Sequence, residues 1–296
     1  MARITRGQTP GLHNEGPDPG LRTSSTVGAM SERFRRSFPG RLPVIAMAHV
    51  PALPGSPLYD SQAGIQGAID DVRRDLEILV DEGVDGVLFC NENDRPYLLE
   101  APPVHVAALG RIVGELAPEE CPFGVDYLWD ARAALGIAVA TGAAFTREVL
   151  PGVYESDMGL WEPDAGALLR ERRAYGADDL CILMNVTPEF ASALGGRSAG
   201  ERARSAVVSS LADAILVSGA MAGAEPALEA VREVADAVAG SAPVLLNTGA
   251  KAGNINSFAP FIGGVIVGSD LKRNGDTWGP VERERVRRFL DAARSA

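Results

Sequence analysis

The feature that most constrains this chain is a repeat. Short apolar runs, each followed by a longer stretch of helical period, recur eight times from Leu42 onward. The runs are too short for helices and rich in aliphatic and β-branched residues, as strands covered on both faces are. They predict strands at Pro43–Ala48, Gly86–Cys90, Phe123–Asp126, Ala144–Val149, Leu180–Met184, Ala214–Val217, Val244–Leu246 and Val265–Val267. The intervening stretches are amphipathic: in IDDVRRDLEILVDEG, Ile69, Val72, Leu76, Leu79 and Val80 share one face, and Gly83 ends the helix. A doubly wound open sheet would use the same alternation. Eight units, with no GxGxxG after the first strand, point instead to closure, an α/β fold of the (β/α)8 TIM-like barrel type.

A chain of 296 residues, 46% hydrophobic and 23% charged, suits one barrel domain over residues 41–296. Residues 1–40 are rich in Gly, Pro, Ser, Thr and Arg without apolar period, so a disordered extension is expected there. Within it, SERFRRSF after Met30 reads as a helical turn or two capping the bottom of the barrel, and His13 receives no role. The net charge of -11 argues against nucleic acid or an anionic lipid surface as partner. No apolar run is long enough to span a bilayer and the N-terminus lacks a signal-peptide core, so no membrane insertion is expected. Cys90, Cys121 and Cys181 lie in or beside apolar runs with no CxxC spacing, which fits a reducing cytoplasm. The only lysines are Lys251 and Lys272, so Schiff-base chemistry would be confined to the last two loops. Barrels of this kind commonly associate, and a homo-oligomer of open subunit number is expected.

In such a barrel, function sits at the carboxyl ends of the strands. Thr248–Gly249 and Gly268–Ser269 follow the last two predicted strands and would present backbone N–H groups to an anion, with Ser218 and Gly219 adding donors. The expected ligand is a small phosphorylated molecule; the same glycines would equally serve tight turns. Lys251 could neutralise the anion, although plain exposure is the commoner fate of such a lysine. His49 is the only histidine placed at the barrel mouth, and is either a structural residue or a ligand-binding or proton-transferring one. The second loop, NENDRPY, brings Asn91, Glu92 and Asp94 together: a hydrogen-bonded turn, a divalent-cation site for Mg²⁺, or a proton-transfer group. Asp126 ends the third strand. Arg147 and Glu148 end the fourth, where alternation admits only one of them to the interior. The long loop LPGVYESDMGLWEP carries Tyr154, Asp157 and Trp161 and reads as a lid. Asn185 and Asn247 complete the strand ends. The expected catalytic groups are His49, Glu92, Asp126 and Glu148; Asn91, Asp94, Arg147, Asp157, Asn185, Asn247 and Lys251 are expected to contact substrate.

Together, HVPALPGSP, ENDRPY, SDMGLWEPDAGALLRERR, VSGAMAG and VGSDLKRNGDTWGPVERERVRRF resemble the BtpA family, also called BtpA/SgcQ, over about Pro43 to Leu290. The order and spacing of these motifs carry the resemblance. It implies a TIM-like barrel with a phosphate site. Family members are associated with photosystem I biogenesis in cyanobacteria, and others look like enzymes near sugar or nucleoside metabolism. The chain departs from the family pattern at three strand ends. Asp126, Trp129, Asp130 and Ala131 stand where the family tends to have Asn and then Arg-Asn-Asp. Asn185 and Thr187 replace a Lys-His pair, and Asn247, Thr248 and Gly249 replace Gly-Ser-Gly. A retained phosphate handle with changed or lost reaction is implied: either an enzyme of phosphosugar or nucleotide-like substrates in specialised metabolism, by glycosidic-bond or isomerase/lyase chemistry, or a non-catalytic assembly factor.

Overall fold

Residues 32–296 are described by the structure, a computed structural model. The eight apolar runs form parallel strands β1 (Val44–His49), β2 (Gly86–Cys90), β3 (Phe123–Asp126), β4 (Phe145–Val149), β7 (Cys181–Asn185), β9 (Ala214–Val217), β10 (Val244–Leu246) and β11 (Val265–Val267). They close into a barrel in the order β1-β11-β10-β9-β7-β4-β3-β2. The closing pair sets Val44, Ile45 and Ala46 beside Val265, Ile266 and Val267.

Alternation along each strand divides the core in two. Val44, Ala46, Phe89, Val125, Ile215 and Val217 face outward and bury in one cluster with the helices, among them Ile69, Val72 and Leu79 of α2 (Gly64–Asp81) and Leu109 and Ile112 of α3 (Pro103–Leu116). Ile45, Met47, Leu88, Phe145, Leu183, Leu216, Leu245 and Ile266 fill the lumen. Each such fully buried side chain stabilises the barrel by about 1.5–3 kcal/mol. The outer ring continues through α4 (Ala131–Thr141), α5 (Ala165–Ala174), α6 (Ala199–Val208), α7 (Leu228–Val238), the single turn α8 (Ile255–Phe258) and α9 (Arg283–Arg294). Asp130 caps α4, Asp164 caps α5, and Ser198 with Glu201 forms a capping box on α6. The last predicted crossover helix, Asn254–Phe261, shrinks to α8.

Of the expected extension, residues 1–31 lie outside the described residues. Residues 32–37 form a short helix, α1, rather than disorder, and buried Phe34 and Phe38 anchor it. Phe38 meets Phe145 edge-on at 5.4 Å, at the amino end of the strands, and Arg33 reaches buried Asp213 at 2.8 Å. The long loop after β4 is not irregular. It folds as a hairpin, β5 (Tyr154–Ser156) and β6 (Gly159–Trp161), to which β8 (Ala191–Ala193) adds a third antiparallel strand.

Candidate active site at the carboxyl ends of the strands

A hydrogen-bonded chain of polar side chains crosses the upper lumen. Arg147 donates through Nε to Asp126 Oδ2 at 2.6 Å, with a second contact from Nη2, and through Nη1 to Asn247 Oδ1 at 3.2 Å. Asn247 Nδ2 donates to Ser218 Oγ at 2.9 Å. Asn185 Nδ2 donates to the same hydroxyl at 3.0 Å and to Glu189 Oε2 at 3.2 Å. Cys90 Sγ lies 3.6 Å from Asp126 Oδ2 and 3.8 Å from Glu92 Oε2. Parity is thereby settled: Arg147 enters the lumen, and its neighbour Glu148 turns outward.

Above this layer lies a mouth cavity of about 120 Å³. Of the residues expected at the site, His49, Glu92, Arg147, Asn247, Thr248, Gly249, Lys251, Gly268 and Ser269 line it. The others do not. Asp126, Glu148 and Asn185 line a second chamber next to it, Asp126 as the partner that holds Arg147. Ser218 is engaged by Asn185 and Asn247, and its amide donates to Thr187 Oγ1 at 2.7 Å. Gly219 is a glycine because Ala224 passes directly over it; a Cβ would collide with that carbonyl. Asn91 and Asp94 do not line this cavity and hold loops together. Asn91 accepts from the Leu128 amide at 2.7 Å, while Asp94 accepts from the Leu53 amide at 3.0 Å and from Ser56 Oγ, and contacts His105 Nδ1 at 3.0 Å. This removes Asp94 from the expected cation pair with Glu92. Among the described residues no group of three or more His, Cys, Asp or Glu side chains is gathered for a metal ion. Asp157 lies beside Met158 and Trp278 in a separate apolar groove. Lys272, the other lysine, is buried against Asp75 at 2.7 Å and does not line the mouth.

The two glycine-containing loops face each other because the sheet opens there. The β10–β11 ladder pairs only Leu246 with Val265. Beyond it, among the described residues, the amides of Thr248, Gly249, Gly268 and Ser269 donate to no protein acceptor. Gly249 combines φ of +87° with close approach of the Ala224–Glu225 backbone, so only glycine fits. Gly268 leaves room for His49, whose Cε1 and Nε2 would each stand 3.1 Å from an added Cβ. Half-exposed Lys251 sits at the rim, 4.0 Å from Glu225.

Burial governs protonation. It raises the Glu92 carboxyl to about 7, against the pull of Arg147. It lowers His49 to about 3, with Lys272 acting in the same sense. His49 Nδ1 is 3.0 Å from the Thr277 carbonyl, which can only accept, so Nδ1 carries the proton and Nε2 is a hydrogen-bond acceptor. Burial also pushes Asp126 upward, but the Arg147 guanidinium cannot release its proton and keeps the pair ionised.

Several lining residues escaped the sequence reading: Glu189, Tyr97, Phe190 and Thr277. Glu189 is the most consequential, since its carboxylate accepts from Thr248 Oγ1 beside the two glycine-containing loops. It is the only acid in the loop after β7, which was a usable signal. Thr277 reaches the mouth from beyond the last strand through a contact with His49 that no local pattern announces.

Comparison with known proteins places this architecture. The sgc region protein SgcQ of Escherichia coli K12 is 38% identical over 249 residues, covering 84% of this chain and 92% of that protein. The photosystem I biogenesis protein BtpA of Synechocystis is 34% identical over 261 residues, covering 87% and 90%. Among solved structures, thiamine phosphate pyrophosphorylase from Pyrococcus furiosus shares the fold with a TM-score of 0.53 at 16% identity, covering 86% of this chain and 96% of its own. Phosphoribosylanthranilate isomerase from Thermotoga maritima does so at 0.52 and 13%, covering 86% and 100%. A profile of the BtpA family matches residues 41–295, and the chain is therefore a member of the BtpA family.

Proposed function

We propose that this protein is a cytoplasmic enzyme acting on a small phosphorylated sugar or nucleotide-like substrate, with the phosphate between Thr248–Gly249 and Gly268–Ser269. One juxtaposition carries the reading: residues whose amides lack protein acceptors line the same cavity as a carboxyl poised near neutrality. An oxyanion would satisfy those amides, and Lys251 lies at the rim to offset its charge. Glu92 is the proton-transfer group, because a carboxyl at about 7 holds either state at working pH. His49, neutral and fixed through Nδ1, orients a substrate hydroxyl through Nε2 instead of carrying a proton. Arg147 is held in place by Asp126 and Asn247 and presents positive charge to the cavity floor. Support from neighbours of this architecture whose names denote enzymes of phosphorylated compounds is analogy of fold alone.

The test is thermal shift with inorganic phosphate, phosphosugars and nucleotides, with and without magnesium. Binding to the folded state raises Tm as ligand exceeds Kd. The expected outcome is a phosphate-dependent rise that Thr248→Asp abolishes while unliganded Tm stays within a few degrees. A rise that survives the substitution refutes the anion assignment. The second reading, a non-catalytic assembly factor, draws on the name of the Synechocystis relative. Stoichiometric recovery of a partner complex with a Glu92→Gln variant, without any phosphate response, would favour it.

A further inference from the structure

The apolar groove that holds Asp157 adjoins the mouth cavity, and Tyr97, Phe190 and Ala222 line both. Loops at the carboxyl ends of the strands build it: the turn after β2, the hairpin tip between β5 and β6, and the segments following β7, β9 and β11. The Asp157 amide donates to the Phe190 carbonyl at 3.1 Å and Tyr97 Oη donates to the Glu92 carbonyl at 3.0 Å, so groove and mouth share a fixed edge. The mouth, at about 120 Å³, is smaller than the roughly 300–1,000 Å³ of ordinary ligand pockets. With the groove, which holds about 370 Å³, the combined space reaches that range. A phosphorylated ligand seated at the glycine loops and too large for the mouth therefore has a place to continue.

The walls restrict what continues there. Trp278 is 46% exposed and Met221 55%; isolated exposures of that kind are ordinary, but these two converge on one groove with Met158, Tyr97 and Phe190. The rings of Tyr97 and Phe190 stand with centroids 6.2 Å apart. Aromatic faces and thioethers pack best on another flat ring. A sugar would lay its hydroxyls against walls with few polar partners, at a cost in desolvation. An alkyl chain would be covered but would use neither of the groove's charged groups. These are the Arg95 guanidinium, 3.8 Å from the Trp278 ring centroid, and the exposed Asp157 carboxylate. Among the described residues neither forms an ion pair. A guanidinium donates to ring carbonyls and ring nitrogens, and a carboxylate accepts from amino groups and ring N–H. A heteroaromatic ring with both kinds of edge answers the flat walls and the two charges together.

We propose that the groove lined by Tyr97, Met158, Phe190, Met221 and Trp278 receives the base of a nucleotide whose phosphate lies at the glycine loops. The inference rests on the mouth reading for the phosphate and narrows it from phosphorylated sugars at large to nucleotides.

Calorimetric titration of the full chain tests it, using inorganic phosphate, ribose 5-phosphate, the common nucleoside monophosphates, their nucleosides and octyl phosphate as probes. At least one nucleoside monophosphate should bind at least about tenfold tighter than ribose 5-phosphate, as stacking on aromatic walls supplies. Trp278→Ala and Met221→Asp alter exposed side chains, and each should bring that advantage to within about twofold while ribose 5-phosphate binds as before. Nucleotides no tighter than ribose 5-phosphate, an advantage that survives both substitutions, no saturable binding by any nucleotide, or octyl phosphate binding tighter than all of them overturns the proposal. So does a dimer in sedimentation velocity that Met221→Asp dissociates, since a second copy would then cover the groove. The two readings fail separately. Nucleosides that bind as tightly as their monophosphates, without any response to inorganic phosphate, would refute the phosphate seat and uphold the base site; inorganic phosphate binding without a ring advantage would do the reverse.

Discussion

Replacing Glu92 by Gln isolates the energetic consequence of burying that carboxyl. In the folded protein the group titrates at about 7, raised mainly by burial, against an ordinary value of 4.5. A raised folded value means the native state binds more protons than the unfolded chain across that window, so stability falls as pH rises. The contribution is fully present below about pH 4.5 and is lost as pH climbs through about 7. Integrating the two titrations between about pH 5 and about pH 8 gives a loss of about 2.5 kcal/mol from this one group. Glutamine matches the shape without ionising. The variant-minus-wild-type stability, measured by urea unfolding at a series of pH values, should therefore rise by about 2–3 kcal/mol across that interval. Other titrating groups are common to both proteins and cancel in the difference. A difference flat to within about 0.5 kcal/mol would show that Glu92 is hydrated or differently paired, and would remove it as a group poised for proton transfer.

The remaining expectations concern the anion corner and the core. Glu189→Gln removes a carboxylate bonded to Thr248 and should tighten inorganic phosphate about tenfold in calorimetry; unchanged affinity would place the anion elsewhere. Arg147→Met strands Asp126 in the lumen and should cost about 3–5 kcal/mol in chemical unfolding, with most of it regained in the double variant with Asp126→Asn. Gly249→Val meets both an unfavourable φ and the Ala224 backbone, and should lower stability by about 2–4 kcal/mol. Phe38→Ala opens the bottom of the barrel beside Phe145 and should cost about 3–5 kcal/mol, read as a lower urea midpoint at unchanged slope.

The barrel was legible because strands covered on both faces must be apolar along their length, and such runs are conspicuous even when Val244–Leu246 and Val265–Val267 are three residues each. The hairpin over residues 154–161 was not, because strands of three residues carry too little pattern and owe their pairing to a distant third strand, Ala191–Ala193. At Arg147–Glu148 the sequence left two choices, and β4's register with β3 and β7 decided between them. The glycines were visible as turns, but only the fold shows that Gly219 and Gly249 both make way for the Ala224 backbone and that of the two Gly249 lines the mouth. Asp94 looked like a ligand because loop acids do. Its true partners, Leu53, Ser56 and His105, come from the preceding loop and the following helix.

The bond from Arg147 to Asn247 joins positions 100 residues apart, and it is one link in a series of side chains supplied by β3, β4, β7 and the residues just past β9 and β10. No contiguous half of the chain owns a complete set. A protein cut between α5 and β7 would therefore yield two fragments, each with unpaired polar groups where the series is severed, and each silent toward any mouth ligand until the halves reunite. Ligand response in such a split protein would thus count reassembled rings.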